Sequence, residues 1–383
     1  MSRITNKMIS NNYLSDMQTN LKSMSKIQNQ LSSGKTINRG SDNPTVAARI
    51  MQLNTEISSN KQYNSNITDT SNWLDTTDTA LSEAGNVLSR IRELMVKAGN
   101  GAYDSDEIKS IKTEVVGDIK QLTQVFNTSF DGSYIFGGTK STSKPLTVDD
   151  NGSISYGDKD GEALSYKITS NATSAFPADT VINDSKSVND RIADLNNNVL
   201  NTDPANKDAL DEMTKLNSML ESFKQIGSDL KSEISEGVSV TYNKTATNIL
   251  EFHDNGMNKD IDAKDTLSKI VSDLSKAAKE NSEDDATSQS ALSDINGDDL
   301  KQLDAIISNL LQTRSSVGTL QNRMESATST NEDQNYNMTS ILSSSGDIDF
   351  TEKTVEYSSV QTVYTAALQT SSKVLQKTLL DYI

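Results

Sequence analysis

The sequence predicts a mainly α-helical protein: a long antiparallel coiled coil or bundle made from both chain ends, with a mixed β/α domain inserted between them. Three observations carry this. Apolar residues recur at helical spacing in the N-terminal and C-terminal thirds of the 383-residue chain. Three of its four prolines, Pro145, Pro177 and Pro204, lie in the middle and none follows Pro204, so the ends are open to long helices. Between about 140 and 245, short alternating segments bounded by turn residues interrupt the helical rhythm.

Composition narrows the class. Hydrophobic residues make up 34% and aromatics 5%, too few for a thick aromatic core but enough for thin helical seams. Asp and Glu exceed Lys and Arg, for a formal charge of −17. Nucleic acid is therefore not an expected partner, because phosphate binding needs clustered positive charge. The absence of Cys excludes disulfides, zinc–thiolate sites and cysteine nucleophiles. No apolar stretch reaches the length of a membrane span, and no apolar signal region follows Arg3 and Lys7. If the chain is secreted, its route does not read a cleaved apolar signal.

The first element is an N-terminal arm with Leu14, Met17, Leu21, Met24 and Leu31 on one side and Gln28 as a polar gap. Gly34 suits a left-handed helix stop. A polar loop spans 35–42, after which Asn43 offers an N-cap and Pro44 fits the first helical position. A second helix is predicted from Pro44 to about Ala98, on the order of 80 Å long at 1.5 Å per residue. Val46, Leu53, Ile67, Leu74, Leu81, Leu88 and Met95 share one seven-residue row, with Asn60 in its polar slot. For Leu74 to Met95 an ordinary intramolecular core is expected, and for Asn60 and Asn64 an exposed or loosely packed stretch, with buried polar residues that set register as the alternative. Asp104 and Glu107 have capping-box spacing ahead of a third helix striped by Ile108, Ile111, Val115, Ile119, Leu122 and Phe126.

A short glycine-closed strand is expected at 134–138, and a hairpin from Leu146 to Tyr156 around Asp149-Asp150-Asn151-Gly152. Further strands are expected over 164–168 and 238–242, with a more helical stretch between them from about Val188 to Ile234, clearest from Leu210 to Phe223. Helix resumes after about Lys264, most clearly at Leu300, Leu303, Ile307, Leu310, Val317 and Met324. A polar break containing Gly346 is expected over 343–349. The C-terminal arm then presents Val360, Tyr364, Ala367, Leu368, Val374, Leu375, Leu379 and Leu380.

Apolar stripes at both extremes are unusual, because termini ordinarily fray. A single amphipathic arm is marginal in water, so each arm needs a partner. The other arm and neighbouring subunits are the candidates, with helix formation coupled to assembly. Residues 1–40 carry a net charge of +5 and residues 347–383 a net charge of −2, which favours arm-to-arm pairing. The expected assembly surface is therefore Leu14, Met17, Leu21, Met24, Leu31, Val360, Tyr364, Ala367, Leu368, Val374, Leu375, Leu379 and Leu380. Gly34, Asn43, Pro44 and Gly346 are the interdomain hinge.

Catalytic constellations are weak. Gly132-x4-Gly137 lacks a phosphate-loop lysine and follows a helical pattern. His253 is the only His and would have to rely on an acid such as Asp254, without a nucleophile elbow. The Asp149–Gly152 run lacks the closing Glu of a calcium loop. No cofactor, metal or catalytic residue is assigned, and the chain is not expected to be an enzyme.

Several motifs resemble the flagellin family. They are Leu31-Ser32-Ser33-Gly34-Lys35 with Ser41-Asp42-Asn43-Pro44, Trp73-Leu74-Asp75-Thr76-Thr77-Asp78-Thr79-Ala80-Leu81, and Arg90-Ile91-Arg92-Glu93-Leu94 through Gly101. The terminus Tyr364-Thr365-Ala366-Ala367-Leu368 to Leu380-Asp381-Tyr382-Ile383 adds to them, and Tyr134-Ile135-Phe136-Gly137-Gly138-Thr139 is similar to the hook-associated branch of that family. The resemblance covers roughly 1–140 and 240–383. It implies an extracellular structural adaptor joining hook to filament, exported by the flagellar type III apparatus. The implied partners are hook-associated protein 1, flagellin, further copies of itself in a ring, and a cytosolic chaperone on the C-terminal arm. The implied domains are 1–40 with 347–383 as inner arms, 41–139 with 246–346 as a long-helix bundle, and 140–245 as an outward-facing insertion. The alternatives are filament flagellin and a cytosolic coiled-coil scaffold.

Overall fold

The computed structural model describes residues 6–100, 104–169, 171–203, 206–279 and 285–374. Three helices lead: α1 (Asn6–Ser33), α2 (Pro44–Ala98) and α3 (Ser105–Phe126). Three hairpins follow: β1 (Ser129–Phe130) with β2 (Ser133–Tyr134), β3 (Leu146–Val148) with β4 (Ile154–Tyr156), and β5 (Tyr166–Lys167) with β6 (Val181–Ile182). Next, α4 (Ser185–Asp194) runs into a π-helical turn (Leu195–Leu200), and α5 (Lys207–Ile226) follows. The hairpin β7 (Lys231–Ser235) and β8 (Val238–Thr241), the short α6 (Ala246–Leu250), and the hairpin β9 (Glu251–Asp254) and β10 (Lys259–Asp262) come next. α7 (Ala263–Ala277) and α8 (Asp285–Asp294) lead through a second π-helical turn (Ile295–Asp299) into α9 (Leu300–Gly346) and α10 (Phe350–Val374). The described sheets are all two-stranded antiparallel pairs. Such hairpins are marginal alone and depend on packing against helices.

Local chemistry explains the boundaries. Gly34 ends α1 at φ +70°, a region closed to most side chains. The Asn43 carboxamide accepts the Val46 N–H at 3.3 Å and Pro44 opens α2. Asp104 and Glu107 form the reciprocal capping box. Two expectations need correction. Strand pairing at 134–138 stops at Tyr134, after which the chain turns inward: Ile135 and Phe136 are fully buried, and Gly138 (φ +59°) lies so close to the Gln225 and Ile226 carbonyls that a Cβ would clash. The polar break is also shorter than 343–349, because α9 continues to Gly346 and only 347–349 separate it from α10. Small polar residues such as Ser343 to Ser345 are tolerated where their backbone bonds stay within the helix.

The chain divides into two compact units. Within Ser65–Thr328, the α2 row Ile67, Leu74, Leu81, Leu88 and Met95 is at most 2% exposed. The matching α9 row of Leu303, Leu310, Val317 and Met324 is at most 1% exposed. The helices run antiparallel, with Arg92 on Asp304 (2.5 Å), Arg314 on Asp78 (2.8 Å) and Gln321 on Asp75 (2.7 Å). The core extends through α3, α5 and α7 and into the hairpins, by way of Leu146, Tyr156, Ile168, Leu216 and Phe223. Trp73 meets Phe130 and Tyr242 edge-on, which ties two hairpins to α2.

Buried charges are matched within this unit. Arg191 is 0% exposed and donates to Glu212 (2.8 Å), Asp194 (2.7 Å) and the Asn171 carbonyl (2.9 Å). Burial alone would raise the Asp194 carboxyl, but hydrogen bonds from Asn198, Thr173 and Arg191 together hold it below the usual range. Lys264 meets Glu251 (2.7 Å) and Asp262 (3.0 Å) beneath the Tyr156 ring. Lys269 bridges Asp273 and Asp299, and burial pushes the Asp299 carboxyl up.

The other unit, Met1–Asn64 with Ser329–Ile383, is thinner. It joins α1, the start of α2, the end of α9 and α10. Asn60 is 4% exposed, which overturns the exposed half of the expected exposed or loosely packed stretch at this position: it donates to Gln334 at 3.3 Å between α2 and α9. Asn64 is half-buried.

The paired terminal arms as a candidate assembly surface

α1 and α10 pack antiparallel. At one end Gly34 accepts the Ile348 N–H at 3.1 Å, and towards the other end Tyr13 donates its hydroxyl to the Ala367 carbonyl. The seam follows strict alternating steps of four and three. On α1 it comprises Tyr13, Met17, Asn20, Met24, Ile27 and Leu31, and on α10 Lys353, Tyr357, Val360, Tyr364 and Ala367, all half-buried or buried. Ile27 (4%) and Gln30 (8%) are the most enclosed described side chains on α1.

This geometry divides the predicted assembly residues into two sets. Met17, Met24, Leu31, Val360, Tyr364 and Ala367 fall in the seam. Leu14, Leu21 and Leu368 flank it and remain 49%, 42% and 46% exposed. Leu375, Leu379 and Leu380, and the side chain of Val374, lie outside the described residues. Sequence reading passed over Ile27, although it stands three residues after Met24 and four before Leu31; the gap assigned to Gln28 belongs to the outer face.

The exposed apolar set is larger than the sequence suggested. Phe350, Val355 and Val363 on α10 are 58%, 66% and 52% exposed, and Met51 and Tyr336 in the same unit are 64% and 77% exposed. These exposed residues are spread over α2, α9 and several sides of α10, and single apolar residues on a surface are ordinary.

The predicted hinge residues lie where the connections between helices meet. Lys35 and Asp347 form an isolated antiparallel bridge, and their side chains pair at 2.5 Å. The Thr36 N–H donates to the Gly346 carbonyl at 2.8 Å, and Gln30 donates to the Thr36 carbonyl at 2.7 Å. Lys35, with a smaller contribution from the Ser343 hydroxyl, holds the Asp347 carboxyl below its ordinary value. Asn43 and Pro44 stand at the far end of the 35–42 loop, as the N-cap and first residue of α2.

The other candidates have structural roles here. His253 pairs with Asp260 (2.7 Å) across the β9–β10 hairpin rather than with Asp254, whose carboxylate accepts the Met257 N–H in the turn. The Asp149 carboxylate accepts the Asn151 and Ser153 N–H groups and so closes the β3–β4 turn. Among the described residues no group of three or more His, Asp or Glu is placed to hold a metal, and no helix is long and apolar enough to cross a membrane.

The two ends of one chain thus form a single helical seam, with apolar residues left exposed on the same helices. The model of the bacterial flagellin N-terminal helical region matches residues 4–141 and that of the C-terminal helical region matches 300–383, together more than half of the sequence. The chain belongs to the flagellin family. Among curated relatives, the flagellar filament 41 kDa core protein of Borreliella burgdorferi is 37% identical over 108 residues, which is 28% of this chain and 31% of that protein. The phase 1 flagellin of Salmonella naestved is 31% identical over 147 residues, 38% of this chain and 27% of that one. The match thus spans about a third or less of each relative's length. The fold is similar to that of the flagellar hook-associated protein-3 of Legionella pneumophila, with a TM-score of 0.52 and 14% identity over 77% of this chain and 98% of the other.

Proposed function

We propose that this protein is the hook–filament junction adaptor, hook-associated protein 3. In this reading it joins the hook, through hook-associated protein 1, to the flagellin filament. The observation that carries the assembly part is the apolar flank of the paired arms: Leu14, Leu21, Phe350 and Leu368 are each at least 42% exposed. Neighbouring copies in a ring cover that flank, and burying it drives association. The arms form the inner layer, the α2–α9 helices a second layer, and 140–245 faces outward. A cytosolic chaperone shields the C-terminal arm before export through the flagellar type III apparatus, and the assembled protein is extracellular. The likeness of fold to a hook-associated protein-3 and the Tyr134–Thr139 motif support the junction over the filament. Its role is packing, not catalysis.

Filament flagellin is the second reading, favoured by the filament proteins among its sequence relatives. Immunogold electron microscopy with an antibody to 140–245 separates the two. A single gold band between hook and filament is expected. Label along the whole filament would make the chain a flagellin, and no flagellar label on expressing cells would end both readings.

A further inference from the structure

The seven-residue row of α2 is buried and apolar at Leu53, Ile67, Leu74, Leu81, Leu88 and Met95, and is broken once, by Asn60 at 4% exposure. The α9 row of Leu303, Leu310, Val317 and Met324 continues by seven residues to Asn331, which is 2% exposed. Gln334, one turn further on α9, accepts the Asn60 carboxamide N–H at 3.3 Å. The Asn60 Oδ1 is shut off from solvent without a hydrogen-bond partner. Two buried amides therefore occupy corresponding slots of two facing rows that are otherwise apolar, and one of them is incompletely satisfied. A leucine in the Asn60 slot would be the more stable choice, since an unpaired buried acceptor costs free energy.

We propose that this amide layer sets the register of the α2–α9 pair. A seam with a seven-residue repeat is degenerate to a slip of seven. Sliding α9 by that step keeps leucine, isoleucine, valine and methionine against one another at most of the other layers. It moves Asn60 against the slot of Met324 or Met338, and Asn331 against that of Leu53 or Ile67. Both amides would then be buried against hydrocarbon, whereas in the native register they share one layer with Gln334. The pairs outside the seam, such as Asp78–Arg314 and Arg92–Asp304, discriminate less, because partly exposed ion pairs contribute little. Asn60 and Asn331 are positioning residues that give up stability for a unique alignment.

The chain contains no Cys, so engineered cysteines report register without background. Asp75 and Gln321 touch at 2.7 Å through side chains longer than cysteine, so D75C/Q321C joined by a short bismaleimide reports the native alignment. D75C/R314C and D75C/T328C report slips of seven in either direction. Each pair is placed in the full-length chain, in the parent background and with N60L/N331L, then unfolded, refolded and treated with the bismaleimide. The expected result is near-complete native cross-linking in the parent, and in N60L/N331L a severalfold rise of a slipped cross-link with a matching loss of the native one. N60A/N331A, which removes the amides without adding apolar volume, is expected to change in the same direction. Native cross-linking undiminished in both double variants, with slipped pairs at the parent level, would overturn the proposal.

Discussion

Replacing the flanking leucines of the arms with glutamine tests whether the flank drives association or only decorates the monomer. Leu14, Leu21 and Leu368 are 49%, 42% and 46% exposed, so roughly half of each side chain remains to be covered. Full burial of a leucine contributes about 2 kcal/mol, so covering the remaining half contributes about 1 kcal/mol per site. L14Q/L21Q/L368Q therefore loses about 3 kcal/mol per subunit, and the critical concentration for assembly rises roughly a hundredfold. The seam of Met17, Met24, Ile27, Val360 and Tyr364 is untouched, so the dilute monomer keeps its melting temperature. Sedimentation across a concentration series measures the first quantity and circular dichroism the second. An unchanged critical concentration would show that the flank is not buried in the assembly. A lower melting temperature of the dilute monomer would show that these leucines stabilise the single chain, and the division between seam and flank would be wrong.

Three further outcomes follow from local geometry. R191A leaves Asp194 and Glu212 buried without their cation and is expected to cost about 3–5 kcal/mol in urea unfolding, whereas R191M with E212Q and D194N recovers most of it; equal losses in both would contradict the charge-pairing account. Asp347 titrates below its ordinary value because of Lys35 and then Ser343, so its contribution is present above about pH 4 and is lost as pH falls through the depressed folded-state value. In K35M the carboxyl resonance should titrate closer to a normal carboxylate without reaching it, since Ser343 still donates, and an unchanged titration would exclude Lys35 as the cause. G34A forces a Cβ into φ +70° and is expected to destabilise the α1 terminus by about 1–2 kcal/mol, read as faster hydrogen exchange at Ile348, whose N–H donates to Gly34.

Much of the helical frame is legible in the sequence, because it follows from near-neighbour chemistry. The Gly34 stop, the Asn43–Pro44 start, the run to Ala98 and the Asp104 capping box each depend on residues within one turn of one another. The row from Ile67 to Met95 was legible because a helix repeats its face every seven residues. The phase of a seam is harder to read: with apolar residues at both Leu14 and Met17, and at Leu21 and Met24, spacing alone cannot say which are enclosed. The partner decides, and α10 selected the row through Ile27 while leaving Leu14 and Leu21 outside.

The sequence alone determined that the protein is helical at both ends, interrupted in the middle, acidic, without cysteine chemistry and apolar along its arms. Only the tertiary structure decided that Arg191 is enclosed by Glu212 and Asp194, that His253 answers to Asp260, and that Asn60 is buried. The physical reason is range. Helix period, caps and turns are set by residues a few positions apart, whereas the burial of a polar group depends on groups brought from distant parts of the chain, as Gln334 is brought to Asn60.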